Sequence, residues 1–318
     1  MASTALTQPA PAPVFYDEDA VAYVATNNWA LVWRRFRRHR VGLIGLAVLL
    51  LIVAACVLAP WIAPFPFDKQ DPLLINKFPG PSARHWLGTD ELGRDVLSRL
   101  LYAGRVSLLV SLLATAISIL IGVTIGALAA YFGGWSDTIL MRFTDIILAL
   151  PTLPLLLIFS KALRDFGPLK SSLGGSASVA IIIFVLAAFG WTGIARLVYG
   201  SVLALKAREF TEASRALGAS GMRIIFTHLI PNSAAPIIVS ATLGIGGRII
   251  AEASLSFLGF GIVPPAPSWG NMLSGVQAYM WRNPWLAFYP GFTILIVVLA
   301  INFVGDALRD ALDPRLKT

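Results

Sequence analysis

The chain has 318 residues, of which 57% are hydrophobic and only 13% charged. A soluble domain carries roughly twice that share of charge, so the composition excludes an ordinary soluble enzyme and points to a protein that crosses a membrane several times. The net charge of +8 then reads as basic loops beside anionic lipid, with no nucleic acid implied; one cysteine, Cys56, and three histidines leave no intrachain disulfide or cysteine metal cluster and little with which to build a zinc site.

Residues 1–26 are rich in Ala, Pro and Thr, show no hydrophobic period and are expected to form a disordered cytoplasmic tail. Within 27–40, Trp29, Val32, Trp33 and Phe36 share a helical stripe while Arg34, Arg35, Arg37, Arg38 and Arg40 fill the other positions. That is the pattern of an amphipathic helix lying at the membrane interface and anchoring the first span.

Six segments reach the roughly 20 apolar residues that a bilayer demands: 41–62, 106–131, 139–159, 179–199, 234–257 and 287–304. The first span with a polar extracytoplasmic segment makes up 41–105, a core of five spans occupies 106–312, and 313–318 is a second cytoplasmic tail. The arginines before the first span place the N-terminus in the cytoplasm, and six spans return the C-terminus to the same side. The outer segment 63–105 departs from the positive-inside rule, with six basic residues of its own.

Several residues inside the spans invite attention. Gly122 and Gly126 form a G-x-x-x-G face for a neighbouring helix, in this chain or another. Arg142 and Asp145 lie one turn apart near mid-membrane; they are read either as an internal pair or with Asp145 facing a transport path or a neighbouring subunit. Pro151 and Pro154 are expected to kink the third span. Arg248 and Glu252, four apart near the outer end of the fifth span, are expected to pair and are kept as further candidates for path or partner contact.

Between the fourth and fifth spans stands the polar island EFTEASRALGASGMRIIFTHLIPN, residues 209–232. Phe210, Ala213 and Leu217 repeat at helical spacing. Glu209 and Glu212 in the first turn and Arg215 in the last suit the helix dipole. Gly218 stands where a C-capping glycine belongs, and Ser220 can N-cap a second helix. The island is thus helix, glycine bend, helix, with small residues Ala213, Ser214, Ala216 and Ala219 keeping it slim enough to enter a groove on another protein. The alternative is a helix packed on its own bundle.

No G-x-x-x-x-G-K-[ST] phosphate loop, H-E-x-x-H or G-x-S-x-G motif occurs. His85 and His228 stand alone in sequence and are expected to make interfacial polar contacts. A secondary transporter or channel would need repeat symmetry or a midplane ion site, and neither is evident. A membrane enzyme would need a nucleophile and base.

The run Glu212-Ala213-Ser214, then Gly218, then Leu229-Ile230-Pro231, with Gly218 thirteen residues before Pro231, resembles the EAA loop of ABC-transporter permease subunits. Ser214 replaces the second Ala of that pattern. HWLGTDELGRDVLSRLLYAGRVSL (85–108), LSFLGFGIVPPAPSWGNML (255–273) and GDALRDALDPR (305–315) resemble the dipeptide/oligopeptide/nickel branch, and its C-type subunit in particular.

The resemblance implies an all-α integral membrane protein: a type I ABC importer permease bundle of six transmembrane helices with both termini cytoplasmic. It implies a bacterial or archaeal cytoplasmic membrane, a homologous second permease forming a heterodimer, two ATPase subunits that hold ATP and Mg, and an extracytoplasmic substrate-binding protein. The chain itself would bind no cofactor or metal and catalyse nothing. A coupling helix at 209–222 would dock on the ATPase through Glu209, Phe210, Glu212, Ala213, Ser214, Arg215, Leu217, Gly218 and Ala219. The cargo implied is a dipeptide or oligopeptide, with nickel or another small solute as the alternative within the branch.

Overall fold

A computed structural model describes residues 28–166 and 177–313. The expected tail at 1–26, and all of the tail at 313–318 except Asp313, lie outside the described residues. In chain order the helices are α1 (Asn28–Phe36), α2 (Arg40–Val57), α3 (Ala59–Ile62), α4 (Val96–Phe132), α5 (Gly134–Ala149), α6 (Thr152–Asp165), α7 (Ala177–Gly190), α8 (Thr192–Lys206), α9 (Glu209–Ala216), α10 (Gly221–Ile224), α11 (Ile230–Asn232), α12 (Ala234–Phe257), α13 (Trp269–Leu273) and α14 (Trp285–Leu312). No β-strand occurs among the described residues; only isolated bridges join Gln70 to Arg94 and Thr89 to Asp95.

Five stretches are long and apolar enough to cross a membrane: α2, α4, α7 with α8, α12 and α14. The sixth span is the bent pair α5–α6, turned by 94°. The expected kink is therefore a break. Leu150 is extended (φ −84°, ψ 142°), as the residue before a proline must be. Pro151, just outside α6, ends the α5 ladder. Pro154 falls in the first turn of α6, where its missing N–H costs least.

The second span is also longer than its apolar stretch. α4 begins at Val96, ten residues before the expected start, because Asp95 accepts a hydrogen bond from Ser98 N and caps the helix in the outer segment. Its 37 residues span about 55 Å at 1.5 Å each, so the first turns stand outside the hydrocarbon. The fourth span is interrupted at Trp191, which separates α7 from α8.

α4 is the central helix, packed against α2, α5, α7, α8 and α12. The G-x-x-x-G face is spent within the chain. A Cβ on Gly122 would come within 2.7 Å of Trp191 O, and one on Gly126 within 3.0 Å of Tyr199 N. On the other side of the bundle Gly45 of α2 meets α14, 2.9 Å from Ala300 O when a Cβ is built. Small residues thus set the helix spacing where no hydrophobic drive favours one apolar surface over another.

Both ends of the described chain lie at one end of the bundle. Phe36 of α1 is buried against Ala307 and Ala311 of α14, and Arg35 Nη1 donates to Asp313 O at 2.9 Å. The adjoining arginine cluster makes this the cytoplasmic end. At the opposite end the segment before α4 folds on itself: Arg94 and Arg99 both bond Asp90, and Arg94 also reaches Glu91 at 3.2 Å. Two of the six outer basic residues are thereby neutralised, which softens the departure from the positive-inside rule. His85 is not isolated: it is buried and its Nδ1 lies 2.9 Å from the Asp95 carboxylate.

Candidate functional site

The island at 209–232 projects from the cytoplasmic end between α8 and α12. α9 starts after extended Arg208 and ends in a Schellman motif. Gly218 takes φ +81°, Ala219 N donates to Ser214 O at 3.1 Å and Gly218 N to Arg215 O at 3.0 Å, satisfying carbonyls that a helix end leaves open. Ser220 then caps α10, its Oγ accepting from Arg223 N at 3.4 Å. From Ile225 to Leu229 the helix widens to a π turn. The wider turn accommodates Pro231, whose ring would clash with a carbonyl one α-turn back.

The two halves of the island differ in burial. Ile224, Ile225 and Leu229 are fully buried in the inner core with Ala127, Ala130, Val198 and Val202. In α9 the buried residue is Thr211, whose Oγ1 donates to Leu205 O at 2.9 Å. Phe210, Ala213 and Leu217 are exposed, Leu217 at 88%. The stripe predicted to be apolar therefore faces away from its own bundle. Glu209, Glu212, Arg215 and Gly218 are exposed as well, while Ser214 and Ala219 are half-buried.

Tyr131, in the last turn of α4, backs this helix. The Arg215 and Lys206 guanidinium and ammonium groups lie over its ring, 5.7 and 5.9 Å from the centroid. A Cβ on Gly221 would come within 2.7 Å of its Cε1. Sequence reasoning missed Tyr131, which looks like an ordinary interfacial aromatic; the only signal was its place at the inner end of a span.

The intramembrane charges pair differently from expectation. Asp145 does not pair with Arg142: its Oδ1 accepts from Arg196 Nη2 of α8 at 2.6 Å. Arg142 sits one turn nearer the cytoplasm, exposed, where an unpaired guanidinium is less costly. Arg248 does not pair with Glu252 either. Its guanidinium turns back to Gly244 O and across to Gly190 O, both at 3.0 Å. The interruption at Trp191 leaves the Gly190 carbonyl without its intrahelical donor, and the guanidinium fills that role.

Glu252 is fully buried and engaged elsewhere. Ser107 Oγ of α4 donates to one carboxylate oxygen at 2.9 Å and Ser256 Oγ to the other at 2.6 Å. Ser256 Oγ also accepts from Ile262 N at 2.9 Å, and Ser107 Oγ from Trp269 N at 3.2 Å. The carboxylate is thus the hub that ties α4 and α12 to the outer loop. Trp269 completes the tie: it is fully buried and its Nε1 donates to Leu100 O at 3.1 Å. Arg164 and Ser160 of α6 hold the same loop by the carbonyls of Gly259, Phe260 and Gly261.

The comparisons with known proteins agree with this architecture. Residues 122–318 match the family described as binding-protein-dependent transport system inner membrane component, and residues 27–79 match the N-terminal TM domain of oligopeptide transport permease C. The chain is 38% identical over 296 residues to the dipeptide transport system permease protein DppC of Alkalihalophilus pseudofirmus, covering 93% of each. It is 40% identical over 291 residues to the glutathione transport system permease protein GsiD of Pectobacterium atrosepticum, covering 91% of this chain and 92% of that one. A solved structure of the MetNI methionine ABC transporter, in an inward-facing conformation, superposes with TM-score 0.53 at 21% identity over 68% of this chain and 97% of that one, which places the fold among type I permeases. The chain therefore belongs to the family of binding-protein-dependent transport system inner membrane components: it is a multi-pass permease subunit of an ABC importer, a transport protein whose ATP hydrolysis is done by a separate ATPase subunit.

Proposed function

We propose that this permease carries dipeptides and short oligopeptides across a bacterial or archaeal cytoplasmic membrane as one half of a heterodimer with a homologous second permease. The dipeptide and glutathione names of its relatives support a short-peptide cargo. Two ATPase subunits that bind ATP and Mg dock at the cytoplasmic end, and a substrate-binding protein delivers cargo at the outer end.

The observation that carries this reading is the outward stripe Phe210–Ala213–Leu217 on a helix whose other side is pinned to the bundle. An ordered helix with an unpartnered apolar face can seat in a cleft and pass a displacement to α8, α4 and α12; a floppy loop would absorb it. In this reading Glu212 lies at the ATPase interface, Ala213 and Ser214 permit close approach, and Gly218 sets the bend. The test is Phe210→Asp with Leu217→Asp in the complete transporter. Loss of the co-purified ATPase with retained membrane insertion is expected; unchanged co-purification and uptake would overturn the reading.

A further inference from the structure

Arg196 and Asp145 form the one ion pair that joins two membrane-spanning helices among the described residues. Both side chains are about half exposed, 54% and 43%. Asp145 lies about 17 Å along α5 from Gly134, and Arg196 about 15 Å along α8 from Lys206, at 1.5 Å per residue. Both groups therefore lie within their helices rather than at the helix ends, on segments apolar enough to cross a membrane. The pair nevertheless points out of this subunit.

Lipid is a poor environment for that face, because charge within a span is costly and occurs toward bundle interiors or water-filled cavities. A dry protein interface is also unfavourable. A single N–H···O contact joins the two groups, and neither has another hydrogen bond among the described residues; a half-satisfied buried pair is worse than an apolar contact. Water would satisfy the remaining donors and acceptors. The surroundings leave room for it. Gly193 and Gly200 flank Arg196 on the same helical stripe, both are exposed, and a Cβ on either meets nothing within 4 Å.

We propose that this α5–α8 face lines the water-filled substrate path, and that Asp145 and Arg196 form a relay site for the charged ends of a zwitterionic peptide. The Asp145 carboxylate takes the ammonium end and the Arg196 guanidinium takes the α-carboxylate in its planar fork. Both charges then exchange one partner for another, so passage leaves no uncompensated charge within the spans. The relay role rests on the peptide-importer reading; the wetness of the face does not.

The experiment uses the complete transporter in proteoliposomes with Cys56→Ala, which removes the only thiol of this chain. Gly193→Cys and Gly200→Cys leave the ion pair intact and report on its face. Both are expected to react with a charged, membrane-impermeant methanethiosulfonate, read by mass on this chain, and to react more slowly with the dipeptide Ala-Ala present. The double variant Asp145→Asn with Arg196→Gln keeps a neutral hydrogen-bonding pair. It is expected to retain bound ATPase and ATP hydrolysis while Ala-Ala uptake falls roughly tenfold or more, the order expected for a lost charge-assisted contact.

Reaction of the two cysteines only with a lipid-soluble maleimide, or crosslinking of them to the second permease without aqueous labelling, would overturn the proposal. So would wild-type uptake by the neutral double variant. Absence of Ala-Ala uptake by the unmodified complex would overturn the peptide reading and the relay role with it, while the thiol labelling would still report separately whether the face is wet.

Discussion

The guanidinium of Arg215 lies over the ring of Tyr131, 5.7 Å from its centroid. One residue belongs to the exposed helix α9 and the other to the last turn of the central helix α4. Force applied to α9 therefore reaches the core of the bundle through a packed ring as well as through the chain.

Tyr131→Ala should weaken this link. The Arg215 cation–π contact contributes about 0.5–1 kcal/mol at an exposed site, so losing it shifts the seating of α9 by roughly two- to fivefold in equilibrium. Peptide uptake per ATP hydrolysed should fall, with insertion unchanged. Tyr131→Phe keeps the ring and should behave as wild type. Equal losses in both variants would mean that the hydroxyl, not the ring, makes the link.

Gly218 gives a second handle on the same element. A Cβ there meets nothing within 4 Å, but φ is +81°. The cost of substitution is therefore backbone strain alone, roughly 1–2 kcal/mol for an ordinary residue and less for Asn, which tolerates this region. Gly218→Val should insert normally yet hydrolyse ATP without matching transport, and Gly218→Asn should recover most of the coupling. Measured uptake-to-hydrolysis ratios check both; a normal ratio for the Val variant contradicts the proposed role of the bend.

At the outer end, Glu252→Ala would leave Ser107 and Ser256 without their shared acceptor in a fully buried site. An unsatisfied buried polar group costs roughly 1–3 kcal/mol. Thermal unfolding in detergent should show a clear loss for the Ala variant and a smaller one for Glu252→Gln, which can still accept. Identical midpoints for the two variants would count against a hydrogen-bonding role.

Gly122→Leu and Gly126→Leu should be worse than either. Each has backbone atoms of the fourth span within 3.0 Å, Trp191 O for Gly122 and Tyr199 N for Gly126, which cannot give way as a side-chain tip can. Overpacking usually costs about 1–3 kcal/mol, and rigid backbone places these two at or beyond the upper end. Low abundance of properly folded protein by fluorescence size-exclusion is the expected outcome.

How much of this was legible in the sequence follows from the range of each interaction. The spans showed as apolar runs, and the Schellman turn at Gly218 and the cap at Ser220 showed because caps are local. Pro151 announced an interruption, but the bend of 94° depends on α6 packing against α7 and on Arg164 holding the outer loop. The charged partners could not be read. Pairing Arg142 with Asp145, or Arg248 with Glu252, uses only spacing along one helix. The observed partner of Asp145 is 51 positions away, and one of the two partners of Glu252 is 145 away, set by the register of α8 on α5 and of α4 on α12. A register between two helices is set by their packing in three dimensions, which a single sequence does not name.

The central claim is that α9 seats on an ATPase subunit, and its most direct test is a short thiol-to-amine crosslinker placed at Leu217→Cys in a Cys56→Ala background of the assembled transporter. Leu217 is 88% exposed on the proposed docking stripe, whereas Trp61, 77% exposed in α3 at the opposite end, provides the control position. The account predicts an ATPase adduct from position 217 and none from Trp61→Cys. Absence of an ATPase adduct at 217, in a complex that still hydrolyses ATP and imports peptide, would contradict it.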